Sequence, residues 1–199
     1  MIKIEDLEKY KIYLAYLSKK LGTFFEEQAP YVFCKEGCSH CCENGEFPFS
    51  EIEFAYLVLG TQTLPLETQQ LIEQNVIALK EEKAKHPSSK PFCHACPFLI
   101  NKKCSLYEFR AIICRAHGLA FFGKNDNILV PACVYIGLNY ANVYDFETKK
   151  ISLEKYQKTG IKQEPLAHNI RLGFLTNNEI TKELGLNFGE IKPLLDWFE

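Results

Sequence analysis

The chain has 199 residues, of which 47% are hydrophobic and 24% charged, with a net charge of -2 at pH 7. This is an ordinary globular composition, and the chain is long enough to bury a core without needing metal to compensate for small size. The charge gives no electrostatic basis for binding nucleic acid or an anionic membrane, and we expect neither partner. No apolar run approaches the ~18 residues of a transmembrane helix.

The nine cysteines depart from ordinary composition. An extracellular protein would pair them as disulfides, but the count is odd, and residues 1–6 carry charges where a secretory signal needs an apolar segment. We therefore expect a cytoplasmic protein whose thiols stay reduced. Clustered reduced thiols are typical of metal or redox sites.

The first predicted element is an amphipathic helix over residues 6–25, where apolar residues recur in steps of three and four. Gly22 should weaken its last turn, and Pro30 should end any continuation. The apolar stripe either packs on the protein core or forms a dimer contact. Because the repeat spans fewer than three heptads, core packing is the favoured interpretation.

Two more helices are predicted before the second group of cysteines. Residues 50–53 have the Ser-x-x-Glu spacing of a capping box, which predicts a short helix over 51–59 that stops at Gly60. Residues 67–85 carry apolar residues at helical spacing, and the Pro- and Ser-rich residues 86–91 form an exposed loop.

The last third of the chain gives weaker patterns. Residues 176–179 resemble a second capping box, which would start a helix ending near Gly185. Residues 188–198 predict a final helix with Pro193 in its first turn, whereas residues 157–171 give no readable pattern.

These elements predict a mainly α fold, a single domain of short helices around a loop-rich cysteine metal site. We expect an N-terminal amphipathic helix over 1–30, a cysteine-cluster metal-binding domain over 31–135, and a C-terminal helical extension over 136–199 packed on it. Metal binding would then bring together two cysteine loops more than fifty residues apart, which couples binding to folding.

The first cysteine cluster lies in residues 31–48, which lack a helical period and read as a loop. Cys38 and Cys41 have the two-residue spacing that lets both thiolates reach one soft cation at ~2.3 Å, and Cys34 is near enough to be a third ligand. Adjacent side chains in a loop tend to point apart, so Cys42 would serve a second metal, bridge two metals or act as a redox thiol.

The second cluster contains the other five cysteines, Cys93, Cys96, Cys104, Cys114 and Cys133. Cys93 and Cys96 repeat the two-residue metal spacing. Arg110 would share a helix face with Cys114, and with Arg115 it could offset the charge of a thiolate-rich site. Cys133 alone is as readily explained as a buried core thiol.

The histidines give a weaker signal. His40 and His94 each lie inside a cysteine pair, where they are either metal ligands or solvent-facing residues. His117 could hydrogen-bond to a metal ligand.

The softness of the candidate ligands limits which metals the site could bind. Thiolate-only sites suit Zn²⁺, iron–sulfur clusters or Cu(I), and they argue against Mg²⁺ and Ca²⁺. We expect zinc or an iron–sulfur cluster, with a 4Fe–4S cluster among the alternatives, and spacing does not decide between zinc and iron. The first cluster lacks the Cys-Pro that ends the bacterial ferredoxin run.

The sequence resembles the CxxCxxCC, or YkgJ-type, cysteine-cluster family of zinc- or iron-chelating domains. The resemblance covers residues 31–133 and rests on four pieces in order. The first piece is Cys34-x3-Cys38-x2-Cys41-Cys42, followed after a strand-like segment by Ser50-Glu51-Ile52-Glu53. The other three are Cys96-Pro97-Phe98-Leu99, Cys104-Ser105-Leu106-Tyr107 and Arg110-x3-Cys114-Arg115. Together they are specific, although each alone is not.

The resemblance implies a cofactor more than a reaction. Carried over by motif, the implied ligands are Cys34, Cys38, Cys41, Cys42, Cys96, Cys104 and Cys114, with Cys133 as a later, less regular cysteine and Cys93 as an extra one. Two departures stand out: the first gap has three residues instead of two, and Ala111 replaces the usual proline after Arg110.

The leading hypothesis is a metal-binding protein whose partner is a metal ion. The sequence does not indicate which protein, if any, it binds. The alternatives are a cluster-dependent enzyme resembling the flagellin lysine N-methylases, which carry a similar cluster, or a thiol redox protein. This chain is much shorter than those enzymes and has no recognisable methyl-donor, nucleotide-binding or catalytic-triad motif.

Overall fold

The computed structural model of the protein describes residues 2–35 and 37–198. Helices account for 48% of the chain and strands for 11%, in agreement with the expected mainly α class. The α-helices are Ile4–Glu27 (α1), His40–Glu43 (α2), Glu51–Thr61 (α3), Leu66–Lys85 (α4), Ile112–Ala116 (α5), Leu153–Thr159 (α6), Leu172–Leu175 (α7) and Glu179–Glu183 (α8). Turns of 3₁₀-helix occupy Ala29–Tyr31, Tyr107–Phe109, Ala132–Ile136 and Leu194–Trp197.

The strands are short and form two-stranded antiparallel sheets. Pro48–Ser50 (β1) pairs with Ile191–Pro193 (β8), so that Phe49 lies opposite Lys192. The other pairs are local hairpins: Leu99–Ile100 (β2) with Lys103–Cys104 (β3), Phe121–Phe122 (β4) with Ile128–Leu129 (β5), and Tyr144–Asp145 (β6) with Lys150–Ile151 (β7).

The chain divides into two compact units. Unit 1 comprises Met1–Lys11, Gly37–Cys114 and Gly185–Glu199, and unit 2 comprises Ile12–Glu36 and Arg115–Leu184. Unit 2 is therefore inserted between parts of unit 1 in sequence. The expected division of the chain at residues 30 and 135 is not tested by these contacts and stays a prediction.

Helix α1 confirms the first predicted element and is longer than expected. Tyr10, Leu14, Leu17 and Leu21 are all buried, so its apolar stripe contributes to the protein interior. Gly22 lies inside α1, which continues to Glu27 and ends before Pro30 as expected.

Unit 1 has a hydrophobic core between α3, α4 and the segments that carry cysteines. Its buried members are Phe49, Leu57, Ile72, Val76, Phe98, Leu106, Ala111 and Leu194. The capping box at α3 is present, with Glu53 accepting from the backbone N–H of Ser50 at 2.8 Å. Helix α3 runs through Gly60 to Thr61, two residues beyond the predicted last residue, Leu59. Helix α4 agrees with its prediction.

Unit 2 has a smaller core that includes Tyr31, Ala120, Tyr140 and Val143. The rings of Tyr31 and Tyr140 stack with centroids 5.9 Å apart. The backbone N–H of Tyr140 also donates to the carbonyl of Tyr31 at 2.8 Å. These contacts join the turn that follows α1 to residues more than a hundred positions later.

The predictions for the last third of the chain need correction. The residue that caps α8 is Asn178, whose side chain accepts from the N–H of Thr181, so the capping box starts two residues later than Thr176. The final helix predicted over 188–198 is wrong. Pro193 has no N–H to donate, and the segment forms strand β8 followed by a 3₁₀ turn.

In the described part of the chain, no helix combines the length and the apolar character needed to cross a membrane.

Candidate metal centre

Cys41 and Cys42 lie on α2, a single helical turn within a segment that was expected to be a loop. The N–H groups of Cys42 and Glu43 donate to the carbonyl of Ser39, and the Ser39 hydroxyl donates to the Glu43 carboxylate at 2.6 Å. The turn places the sulfurs of Cys41 and Cys42 3.9 Å apart. The expectation that adjacent cysteines point apart is therefore wrong here, because the segment is helical.

Cys96 and Cys104 are brought together by the β2–β3 hairpin, in which Leu99 pairs with Cys104. The two residues of its turn, Asn101 and Lys102, both have positive φ, of 50° and 60°. This is the conformation of a two-residue type I′ turn, whose twist suits a tight hairpin. Each sulfur also receives a backbone N–H two residues further on, Cys96 from Phe98 and Cys104 from Leu106.

Backbone hydrogen bonds join the two cysteine segments of unit 1. The N–H of Cys96 donates to the carbonyl of Cys42 at 2.7 Å, and the N–H of Gly45 donates to the carbonyl of His94 at 3.1 Å. Gly45 and His94 also form an isolated antiparallel bridge. The loop around Cys41 and Cys42 therefore lies against the start of the hairpin, as expected for segments that share a site.

Cys114 belongs to the short helix α5, which a buried carboxylate anchors. Glu53 is 1% exposed and accepts from the N–H of Ile112, the first residue of α5, at 2.8 Å. Its other oxygen accepts from the N–H and hydroxyl of Ser50, at 2.8 and 2.6 Å. Glu53 therefore caps two helices at once. The sequence revealed the cap of α3 through its spacing, but no local pattern could reveal the cap of α5, 59 residues away.

The five cysteines Cys41, Cys42, Cys96, Cys104 and Cys114 are near enough to affect one another's ionisation. A hydrogen bond from the Cys42 thiol lowers the pKa of Cys41 to about 7, whereas that bond, burial and neighbouring thiolates raise the pKa of Cys42. Burial raises the pKa of Cys96 to about 12 and raises that of Cys104. Burial is the main reason why the pKa of Cys114 is raised. Smaller contributions come from the charges of Cys96, Cys104, Glu53 and Cys41.

Arg110 supplies positive charge to this cluster, as expected from the sequence, but from a different place. It follows the Tyr107–Phe109 turn and precedes α5, so it does not share a helix face with Cys114. Its guanidinium lies 3.5 Å from the centroid of the Tyr107 ring. Its charge adds to the lowering of the Cys41 pKa, which the Cys42 hydrogen bond dominates, and offsets part of the rise that burial causes in the pKa of Cys104.

The other predicted ligands occupy two different settings. Cys38 is exposed in unit 1, as is Cys93. Cys34 is exposed and Cys133 is buried, and both belong to unit 2. Arg115, expected to help offset the thiolate charge, is also in unit 2, where it donates to the Ser18 hydroxyl at 3.5 Å.

Of the three histidines considered, His94 departs most from its solvent-facing interpretation. It is buried, with Phe92 stacked 5.1 Å away, and its Nδ1 lies 2.8 Å from the carbonyl of Ala95. Its Nε2 is buried without a hydrogen-bond partner. His40 is the first residue of α2 and is partly exposed, and His117 belongs to unit 2.

The donor set of unit 1 fits a soft metal. Its five thiols, two of which accept backbone N–H groups, are soft donors that suit zinc or iron. Among residues 2–35 and 37–198, no three His, Cys, Asp or Glu side chains are already arranged to hold one ion.

A family model matches residues 33–134, about half of the chain, and its description is "Putative zinc- or iron-chelating domain". The chain belongs to the CxxCxxCC family. The expected resemblance is thereby confirmed, and with it the general assignment to metal-chelating domains. The match includes all five cysteines of the unit 1 cluster. No curated protein and no solved structure matches the chain.

Proposed function

We propose that this CxxCxxCC protein binds zinc or an iron–sulfur cluster through Cys41, Cys42, Cys96, Cys104 and Cys114. The observation that carries the proposal is the convergence of these cysteines from three separate stretches, joined by the Cys96–Cys42 backbone hydrogen bond of 2.7 Å. A cation would compensate the mutual repulsion of their thiolates, which burial otherwise makes costly.

Cys38 is the natural further ligand within unit 1, because it precedes α2 by two residues and its exposed thiol can move. Cys34 and Cys133 are proposed as ligands on the family motif. Because uncoordinated thiols stay reduced in the cytoplasm, we propose a cytoplasmic location.

The bound metal would supply different chemistry in the two cases. Zinc has no redox chemistry, and with four protein ligands it would act as a structural cross-link or a metal store. An iron–sulfur cluster would carry electrons, and Arg110 and the two backbone N–H donors would then tune its potential. The residues of the chain perform the same task in both cases: they fix the sulfurs and exclude water from one side.

The test is elemental analysis with an absorption spectrum of protein purified without oxygen. Iron with matching sulfide and a broad visible absorption would support a redox cluster, whereas a colourless protein with stoichiometric zinc would support a structural or storage site. Protein that folds normally and carries neither metal, even after exposure to both under reducing conditions, would contradict the proposal.

A thiol redox function is a second candidate, and one observation favours it. Cys41 combines a pKa lowered to about 7 with a second sulfur at 3.9 Å. Both features suit a reactive thiolate. In metal-free protein, Cys41 should then be alkylated faster than the exposed Cys38 and Cys93. Equal rates at the three positions would remove this candidate.

A further inference from the structure

Cys41 and Cys42 are neighbours in sequence, and their sulfurs also lie close together. The two residues are the second and third of α2, and the distance between their sulfurs is 3.9 Å. Consecutive residues of a helix do not face each other. The sulfurs therefore approach only because both side chains turn toward one place, a convergence that the helix itself does not impose.

The distance between the two sulfurs matches that of two thiolates on one ion. Zinc–thiolate bonds are about 2.3 Å long, and at a tetrahedral angle two such bonds place their sulfurs about 3.8 Å apart. The observed 3.9 Å agrees closely with this edge of a tetrahedron. Four cysteines hold either type of iron–sulfur cluster, so each iron takes one cysteine in a four-iron cluster and two in a two-iron cluster. The distance therefore favours a site in which two sulfurs share an ion.

The backbone that carries the two sulfurs is held on both sides. The N–H of Cys42 donates to the carbonyl of Ser39, and the carbonyl of Cys42 accepts from the N–H of Cys96, both at 2.7 Å. Ser39 is itself buried, and its hydroxyl donates to the Glu43 carboxylate at 2.6 Å. The pair is therefore presented on a fixed turn, which reduces the conformational entropy that is lost when an ion binds.

Further sulfur donors lie near the pair. The charges of Cys96 and Cys114 act on the ionisation of Cys42, and the charge of Cys41 acts on that of Cys96, Cys104 and Cys114. All five residues belong to unit 1. A tetrahedral ion takes four ligands, so the pair and two of the other three thiols are enough to complete its coordination.

We propose that Cys41 and Cys42 bind the same metal ion, as a two-sulfur chelate formed by consecutive residues. The proposal rests on the proposed function, because it takes both sulfurs as metal ligands. It narrows that function to zinc or a two-iron cluster and disfavours a four-iron cluster. In the loaded protein it leaves neither sulfur of the pair as a free thiolate for redox chemistry.

The direct test uses the unmodified protein loaded with ¹¹³Cd²⁺ alone, a spin-active ion that binds thiolates as zinc does. The expected result is one ¹¹³Cd resonance with scalar coupling to the β-protons of both Cys41 and Cys42. Coupling to only one of the two residues, or of each residue to a different resonance, would overturn the inference and leave the proposed function intact. Protein that binds no cadmium would overturn both.

The metal that the protein carries when it is purified without oxygen gives an independent test. The inference expects zinc or a two-iron cluster, and Mössbauer spectroscopy of an iron-containing form distinguishes the two cluster types. A four-iron cluster would overturn the inference while supporting the proposed function.

A variant separates a shared ion from a thiol that only lies nearby. Cys42→Ala should weaken cadmium binding by more than the about 10–100-fold that outer partners cost, because a ligand is lost. Competition with a chelator measures this affinity. Cys93→Ala, at an exposed position of the same unit, is the matched control and should keep the wild-type affinity. Equal affinities in the two variants would overturn the inference, and if Cys42→Ala does not fold, the wild-type coupling still decides.

Discussion

The two units differ in how they accommodate polar atoms away from solvent. In unit 2, the buried Gln28 accepts from the N–H of Leu166 at 2.8 Å, and Asn139 uses both its donors and its acceptor. In unit 1, many of the groups held away from solvent are thiols. They form only weak hydrogen bonds, and their charges raise the pKa of neighbouring thiols. The buried polar atoms of unit 2 around Asn139 are satisfied by hydrogen bonds within the chain, whereas the thiol cluster of unit 1 is suited to a cation under the proposed function.

Metal removal should have the largest effect, and this effect should differ between the two units. A metal present at about 1,000 times its Kd contributes about 4 kcal/mol to the state that binds it. A chelator should therefore abolish amide hydrogen-exchange protection in residues 40–43 and 96–114 and spare residues 28–33 and 139–143. Hydrogen exchange followed by mass spectrometry measures this directly. Uniform loss across both units would contradict the comparison.

The next largest effect is expected from removing one ligand. Cys96→Ala should weaken metal binding by more than the about 10–100-fold that outer partners cost, and Cys41→Ala should behave similarly. Metal content and unfolding midpoint should fall together. Cys93→Ala is the matched control, since Cys93 is exposed and lies in the same segment. Unchanged metal content in both Cys41→Ala and Cys96→Ala would refute a site shared by the two segments.

A smaller effect is expected at Glu53, whose carboxylate caps α3 and α5. Glu53→Gln keeps the shape but puts an amide donor against donors, and an unsatisfied buried group costs about 1–3 kcal/mol. Denaturant unfolding followed by the fluorescence of Trp197, the sole tryptophan in the chain, reports on unit 1. Glu67→Gln, at an exposed position in the first turn of α4, should change stability little. Equal effects in the two variants would show that the double cap is unimportant.

The smallest effect concerns pH in the metal-free protein. Burial raises the pKa of Cys96 to about 12 and raises that of Cys104, so the folded state retains protons that the unfolded chain releases near pH 9. This stabilisation is complete below pH 9 and is lost as pH rises toward 12. The melting temperature should fall by a few degrees between pH 8 and 10. Metal-loaded protein should not show this fall, because its ligands are already thiolates. A flat metal-free profile would argue against buried neutral thiols.

The cysteine spacing predicted the candidate ligands, periodicity predicted α1 and α4, and the capping box predicted α3, because all three signals are local. Helix α2 escaped detection because four residues cannot show a period. Residues 188–198 were misassigned because their apolar residues suit either a helix face or, as found, a strand that pairs with residues 48–50. The contact of Asn139 with the Cys34 sulfur could not be found either, because it joins residues 105 positions apart.

The pairing of β1 with β8 has a consequence for biosynthesis. Strand β8 and the Trp197 indole, which donates to the carbonyl of Phe49 at 3.0 Å, come from residues translated after all of unit 2. The cysteines of unit 1 therefore leave the ribosome well before the strand that completes their surroundings. During that interval β8 and Trp197 are missing from the unit, so we expect tight metal binding only after residues 191–197 have left the exit tunnel. A nascent chain stalled before residue 191 should bind metal less tightly than the finished protein.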